Sequence, residues 1–108
     1  NVSLEFCNIP NIHPMRKSHD ALHGLVNPKS MEDDDSSFLS RLEQTEWLKW
    51  IGALIRSAIR IVDLMDQQQT SVMIHCSDGW DRTPQLSSLS QICMDPYYRT
   101  MRGMYFIL

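Results

Sequence analysis

Cys76-Ser77-Asp78-Gly79-Trp80-Asp81-Arg82-Thr83 sets a thiol and a guanidinium six residues apart around a short loop. A loop of this length can turn its backbone N–H groups inward and cradle a phosphate dianion. A helix opening at Pro84 adds the positive end of its dipole, and Gly79 permits a turn that a Cβ would hinder. Arg82 can return to the centre and grip two phosphate oxygens with its planar fork, neutralising charge that develops during transfer. In that setting the thiol is expected as a thiolate, because helix N-termini and nearby cations lower the ordinary cysteine pKa of about 8.5 to roughly 3.5–7.5. Cys76 would then attack phosphorus and form a phosphocysteine that water later hydrolyses.

Thr83 lies close enough along the chain to donate its hydroxyl to the sulfur. His75 either orders the base of the loop or is a buried residue at a strand end. Asp78 and Asp81 are the odd members, since two ionised carboxylates oppose the binding of a dianion. One of them is expected to carry a proton or several hydrogen bonds, the condition a general acid needs to protonate a leaving alkoxide. Asp81, beside Arg82, is the first choice and Asp78 the second; Asp63 and Asp66 read as solvated charges at a helix end. Cys93 and Arg99 repeat the same spacing. That copy follows no strand, contains no glycine, and has Pro96 where a cradle needs an N–H.

The elements around the loop follow from periodicity. Ser71-Val72-Met73-Ile74 reads as a short apolar strand, and Pro84 opens a helix to about Met94 with Leu86, Leu89 and Ile92 on one side. Asp95-Pro96 restarts a short helix ending near Gly103. Upstream, Val2, Leu4 and Phe6 alternate with Ser3, Glu5 and Cys7 as in a strand. Asn8-Ile9-Pro10-Asn11 supplies a turn, and Pro14 suits the first turn of a helix to about Val26, with Met15, Leu22, Leu25 and Val26 apolar. The longest helix should cover 47–65, with apolar residues at 47, 48, 51, 54, 55, 58, 62 and 65, Trp47 in the core and Trp50 at its rim. Thr45 can cap it, while Ser40-Arg41-Leu42-Glu43 matches a capping box for an earlier turn. The order strand, helix, helix, strand, loop, helix predicts an α/β fold with at least part of a parallel sheet.

Composition narrows the alternatives. The 108 residues fit one small domain at most, and 43% apolar with 21% charged residues read as globular. A net charge of −3 gives no global attraction to nucleic acid or anionic lipid, and no apolar run reaches the ~20 residues of a membrane span. Three cysteines form no disulfide framework and point to a reducing compartment; the ordinary reading, small buried residues, is set aside only for Cys76, beside His75 and Arg82. No Cys/His cluster has zinc spacing, and the run Glu32-Asp33-Asp34-Asp35 lacks the pattern of a calcium loop. The chain opens inside an alternating segment and stops on Tyr105-Phe106-Ile107-Leu108, which reads as a piece of a longer protein.

The loop at 76–83 resembles the phosphatase loop of the myotubularins, phosphoinositide phosphatases related to protein tyrosine phosphatases. The resemblance extends over Asn11-Ile12-His13 with Met15-Arg16, Leu42-Glu43 with Trp47-Leu48, Val72-Met73-Ile74-His75, and Asp95-Pro96-Tyr97-Tyr98-Arg99-Thr100 with Gly103. It implies part of a tyrosine-phosphatase-like domain with a mostly parallel central sheet flanked by helices, incomplete over these residues. It also implies removal of the 3-phosphate from phosphatidylinositol 3-phosphate and phosphatidylinositol 3,5-bisphosphate without a cofactor or metal. By this analogy Cys76 is the nucleophile, Arg82 the clamp, Asp81 the acid and Asp78 its support. The backbone of Ser77, Asp78, Gly79, Trp80, Asp81 and Arg82 forms the cradle, with the Trp80 side chain at its rim. Asn11 and Ile12 resemble positions lining the headgroup pocket; from the residues alone Asn11 reads equally as a turn residue before a helix. The implied partner is a phosphoinositide headgroup at a membrane surface, met by a cytoplasmic protein peripheral to endosomal or other intracellular membranes, with room for homo- or hetero-oligomers of myotubularins. Two other readings use the same residues: a phosphotyrosine phosphatase, and a non-catalytic phosphoinositide-binding adaptor.

Overall fold

The computed structural model describes residues 2–27 and 37–107, so the acidic run at 32–35 and Pro28 lie outside the described residues. The chain divides into two compact units, Pro10–Gly52 and Asn1–Ile9 with Ala53–Leu108.

In the first unit, α1 (Ile12–Val26) begins at Asn11, whose side chain accepts the His13 N–H at 3.1 Å and satisfies one donor that the helix start would otherwise orphan. Pro14 sits in the first turn, where its missing N–H has no intrahelical partner to lose. The helix ends at Asn27, whose backbone N–H and side-chain amide both donate to the His23 carbonyl. Next come α2 (Phe38–Gln44) and the start of α3 (Trp47–Asp66). Glu46 between them has φ of 58°, and this left-handed residue stops the two from running on as one helix. Thr45 ties the junction together. Its hydroxyl donates to the Leu42 carbonyl and accepts the Trp47 N–H, and its carbonyl accepts from the buried Ser18 hydroxyl of α1. Thr45 is the C-cap of α2 and also accepts the first N–H of α3, and Ser40 falls inside α2 rather than at its start. Trp47 and Trp50 are both half-buried, so Trp47 is not the core residue its periodicity suggested; its ring meets that of His19 edge-on, 5.4 Å between centroids.

The second unit holds the rest of α3, then α4 (Arg82–Met94), a 3-10 helix at Pro96–Arg99, and α5 (Met101–Ile107). Its buried apolar side chains are Ile9, Leu54, Ala58, Ile61 and Leu86. On α3 the buried positions form one narrow i, i+4, i+7 stripe, while Leu48, Ile55 and Met65, expected on the apolar face, are exposed. Glu5 in the N-terminal segment accepts two hydrogen bonds from Arg60, at 3.2 and 2.7 Å, which lower its carboxyl below the ordinary range.

The expected α/β architecture is not found: among the described residues there is no strand, only helices joined by turns, bends and irregular segments. Alternation is a property of one segment, whereas a strand also needs a neighbour to satisfy its N–H and C=O groups. Residues 2–6 and 71–76 form neither helix nor strand and enter no ladder. The second of these still carries its alternation, with Val72, Ile74 and Cys76 half-buried and Ser71, Met73 and His75 exposed.

The end of α4 corrects a second expectation. Asp95 caps the 3-10 helix, its carboxylate accepting the Tyr97 N–H at 2.8 Å. Thr100 then ends that helix, and a separate α5 carries Gly103 in its interior rather than at its end. A Cβ on Gly103 would lie 2.0 Å from the Tyr97 carbonyl oxygen, so the close approach of α5 to the 3-10 helix depends on this glycine. Arg99 donates to the carbonyls of Ile92 (2.7 Å) and Cys93 (3.3 Å). The second Cys-x5-Arg match is therefore a clamp on the last turn of α4. Gly103→Ala in the full-length protein is expected to lower stability by about 1–3 kcal/mol, read as a lower urea midpoint; an unchanged midpoint would refute the contact.

Candidate active site

Residues 77–81 bend the chain from the segment at 71–76 into α4, with Gly79 at φ 79°, a conformation that strains any residue bearing a Cβ. The turn folds the loop over Cys76. The Cys76 sulfur accepts the Gly79 N–H at 3.1 Å and the Thr83 hydroxyl at 3.2 Å, and the backbone N–H groups of Thr83 and Asp78 also favour its charge. Chiefly through the Thr83 hydroxyl, and next through the Thr83 N–H, these donors pull the thiol down from 9.0 to about 6 against the opposing effect of desolvation. All of these partners donate, so all stabilise the thiolate over the thiol.

Arg82 turns back into the loop, as its spacing suggested. Its Nη2 donates to the Ser77 hydroxyl at 2.9 Å, and that hydroxyl donates to Asp78 Oδ2 at 3.3 Å. Its Nε is buried without an acceptor, a deficit of about 1–3 kcal/mol that an incoming oxyanion can relieve. Asp81 stands at the N-cap of α4 without making a capping hydrogen bond. Its Oδ1 and its main-chain carbonyl each accept from Gln85 Nε2, both at 3.3 Å. Trp80 is 66% exposed beside them.

The structure therefore gathers Cys76, Ser77, Asp78, Gly79, Trp80, Asp81, Arg82 and Thr83 in one loop. Asn11 and Ile12 belong to the other unit, where Asn11 caps α1. His75 is exposed, not a buried strand-end residue, and Cys7 and Cys93 are free and exposed rather than packed inside. Asp63 accepts from Arg60 and Gln68 near the end of α3. Gln85 and the anchoring role of the Ser77 hydroxyl were not foreseen. For Gln85 the signal was its place four residues after Asp81, the spacing at which helical side chains meet.

The chain belongs to the myotubularin-like phosphatase domain family, whose model matches residues 1–108. It is 41% identical over 103 residues to the phosphatidylinositol-3,5-bisphosphate 3-phosphatase MTMR4 of Xenopus laevis, covering 95% of this chain and 9% of that protein. The human protein of the same name is 40% identical over 95% of this chain and 8% of its own length. Myotubularin of Xenopus laevis is 45% identical over 95% of this chain and 17% of its own length. The chain thus spans less than a fifth of these relatives.

The thiol environment makes a direct prediction. Alkylation of Cys76 by iodoacetamide, followed by peptide mass mapping, should rise with a midpoint near pH 6. Thr83→Ala, which removes the largest stabilising donor, should move that midpoint toward the ordinary thiol value of about 8.5. A shared midpoint for both proteins would contradict the assignment.

Proposed function

We propose that the protein containing this chain is a phosphoinositide 3-phosphatase that works through a phosphocysteine. The observation that carries the proposal is the convergence of the Thr83 hydroxyl and the Gly79 N–H on the Cys76 sulfur, with Arg82 folded into the same loop. At pH 7 a thiol held at about 6 is about nine-tenths thiolate. The family relationship and the activity for which the MTMR4 relatives are named support the choice of an inositol lipid, phosphatidylinositol 3,5-bisphosphate, with phosphatidylinositol 3-phosphate proposed as a second substrate. On the same ground the enzyme meets its substrate at the surface of endosomal or other intracellular membranes, as a peripheral cytoplasmic protein; no helix among the described residues is long and apolar enough to cross a membrane.

In the first step the Cys76 thiolate attacks the 3-phosphoryl phosphorus, a P–S bond forms and the bond from phosphorus to the inositol oxygen breaks. Asp81 passes its proton to that oxygen, so the inositol leaves as an alcohol. Water then attacks the phosphocysteine, its proton returns to the Asp81 carboxylate, the P–S bond breaks, and inorganic phosphate departs. Arg82 and the backbone N–H groups of the loop hold the equatorial oxygens through both steps. Asp78, joined to Arg82 through the Ser77 hydroxyl, keeps the guanidinium in place, and Trp80 flanks the headgroup at the rim.

Phosphate release from short-chain phosphatidylinositol 3-phosphate by the full-length protein tests this reading. Cys76→Ser should abolish release, and Arg82→Lys should lower kcat by roughly 10²–10³. Equal turnover by the native and Cys76→Ser proteins would overturn the reading, lipid binding without release would favour an adaptor, and a preference for phosphotyrosine peptides would favour a protein phosphatase.

A further inference from the structure

We propose that Gln85 is a positioning residue that aims the carboxyl group of Asp81 for proton transfer, an inference that rests on the phosphocysteine reading above. An aspartate at a helix N-cap ordinarily turns its carboxylate back onto the N–H of the second or third helical residue. In α4 those residues are Thr83 and Pro84. The Thr83 N–H is among the donors that favour the Cys76 thiolate, and Pro84 has no N–H to offer. Both usual partners are thus withdrawn from Asp81, which makes no capping hydrogen bond.

Gln85 takes the carboxyl group instead. One turn into α4, its Nε2 donates both to the main-chain carbonyl and to Oδ1 of Asp81, each at 3.3 Å. Two bonds from one nitrogen to the main chain and the side chain of a single residue restrict the rotation of that side chain. A carboxylic acid that accepts an N–H on one oxygen carries its own proton on the other. With Oδ1 held by Gln85, Oδ2 is the oxygen from which Asp81 would pass a proton. Gln85 therefore acts through Asp81 and touches no substrate atom in this scheme.

The distinguishing measurement is the dependence on leaving group. An inositol alkoxide needs a proton as it departs, whereas the nitrophenolate of para-nitrophenyl phosphate leaves as a stable anion. In the full-length protein, Gln85→Leu should lower kcat on short-chain phosphatidylinositol 3-phosphate roughly tenfold or more, a fraction of the 10²–10⁴ that general acids contribute. On para-nitrophenyl phosphate its effect should be several-fold smaller. Gln85→Glu, which keeps the length of the side chain but replaces the donor with an acceptor, should show the same selective loss and serves if the leucine variant folds poorly. Asp81→Asn run beside them separates the two ideas. Selective loss in Asp81→Asn together with equal losses on both substrates in the two Gln85 variants would overturn the role of Gln85 alone. No selectivity in Asp81→Asn would remove Asp81 as the acid, and the inference with it.

Discussion

The sulfur of Cys76 joins the middle of its loop to the start of α4. It accepts from Gly79 in the one and from Thr83 in the other, so the loop closes on it from both ends. The left-handed turn at Gly79 and the direction in which α4 sets out are both conditions for that closure. Arg82 and Asp81 precede Thr83 directly and inherit their places from it. A charge-assisted hydrogen bond is roughly twice as strong as a neutral one, so the thiolate form holds this arrangement more firmly than the thiol does. Geometry and ionisation thereby support each other.

The site was legible in the sequence because its chemistry is local. Eight consecutive residues carry the thiol, the turn-forming glycine, the cation and the hydroxyl donor, and the structure brings the Thr83 hydroxyl to the sulfur and the Arg82 side chain back to Ser77. The fold was less legible. Helix positions followed periodicity and capping well, from Asn11 at the start of α1 to the long run of α3. Their buried faces did not, because burial depends on what lies opposite each helix: α3 buries Leu54, Ala58 and Ile61 and leaves Ile55 and Met65 exposed.

The missing sheet has the same origin. Val2, Leu4 and Phe6 alternate as in a strand, yet all three are exposed, and nothing in a single segment's pattern states whether a neighbour will be there to pair with it. Close approaches were equally hidden. Gly103 looked like a helix end because glycine often marks one, whereas its function is to let α5 touch the Tyr97 carbonyl. Gln85 carried no motif and emerged only once Asp81 was seen to forgo its usual helix-capping bond.

The far end of α4 carries a mechanical consequence. Arg99 clamps its last carbonyls, and the Ser88 hydroxyl on its middle turn donates to the Ile107 carbonyl at the end of α5. With Gly103 seating α5 against the 3-10 helix, the three short helices form a braced strut. From the loop at its head to the clamp at its tail α4 is roughly 20 Å long. A helix held at its middle and its tail has its axis fixed, and that axis sets where Thr83 stands beside the sulfur.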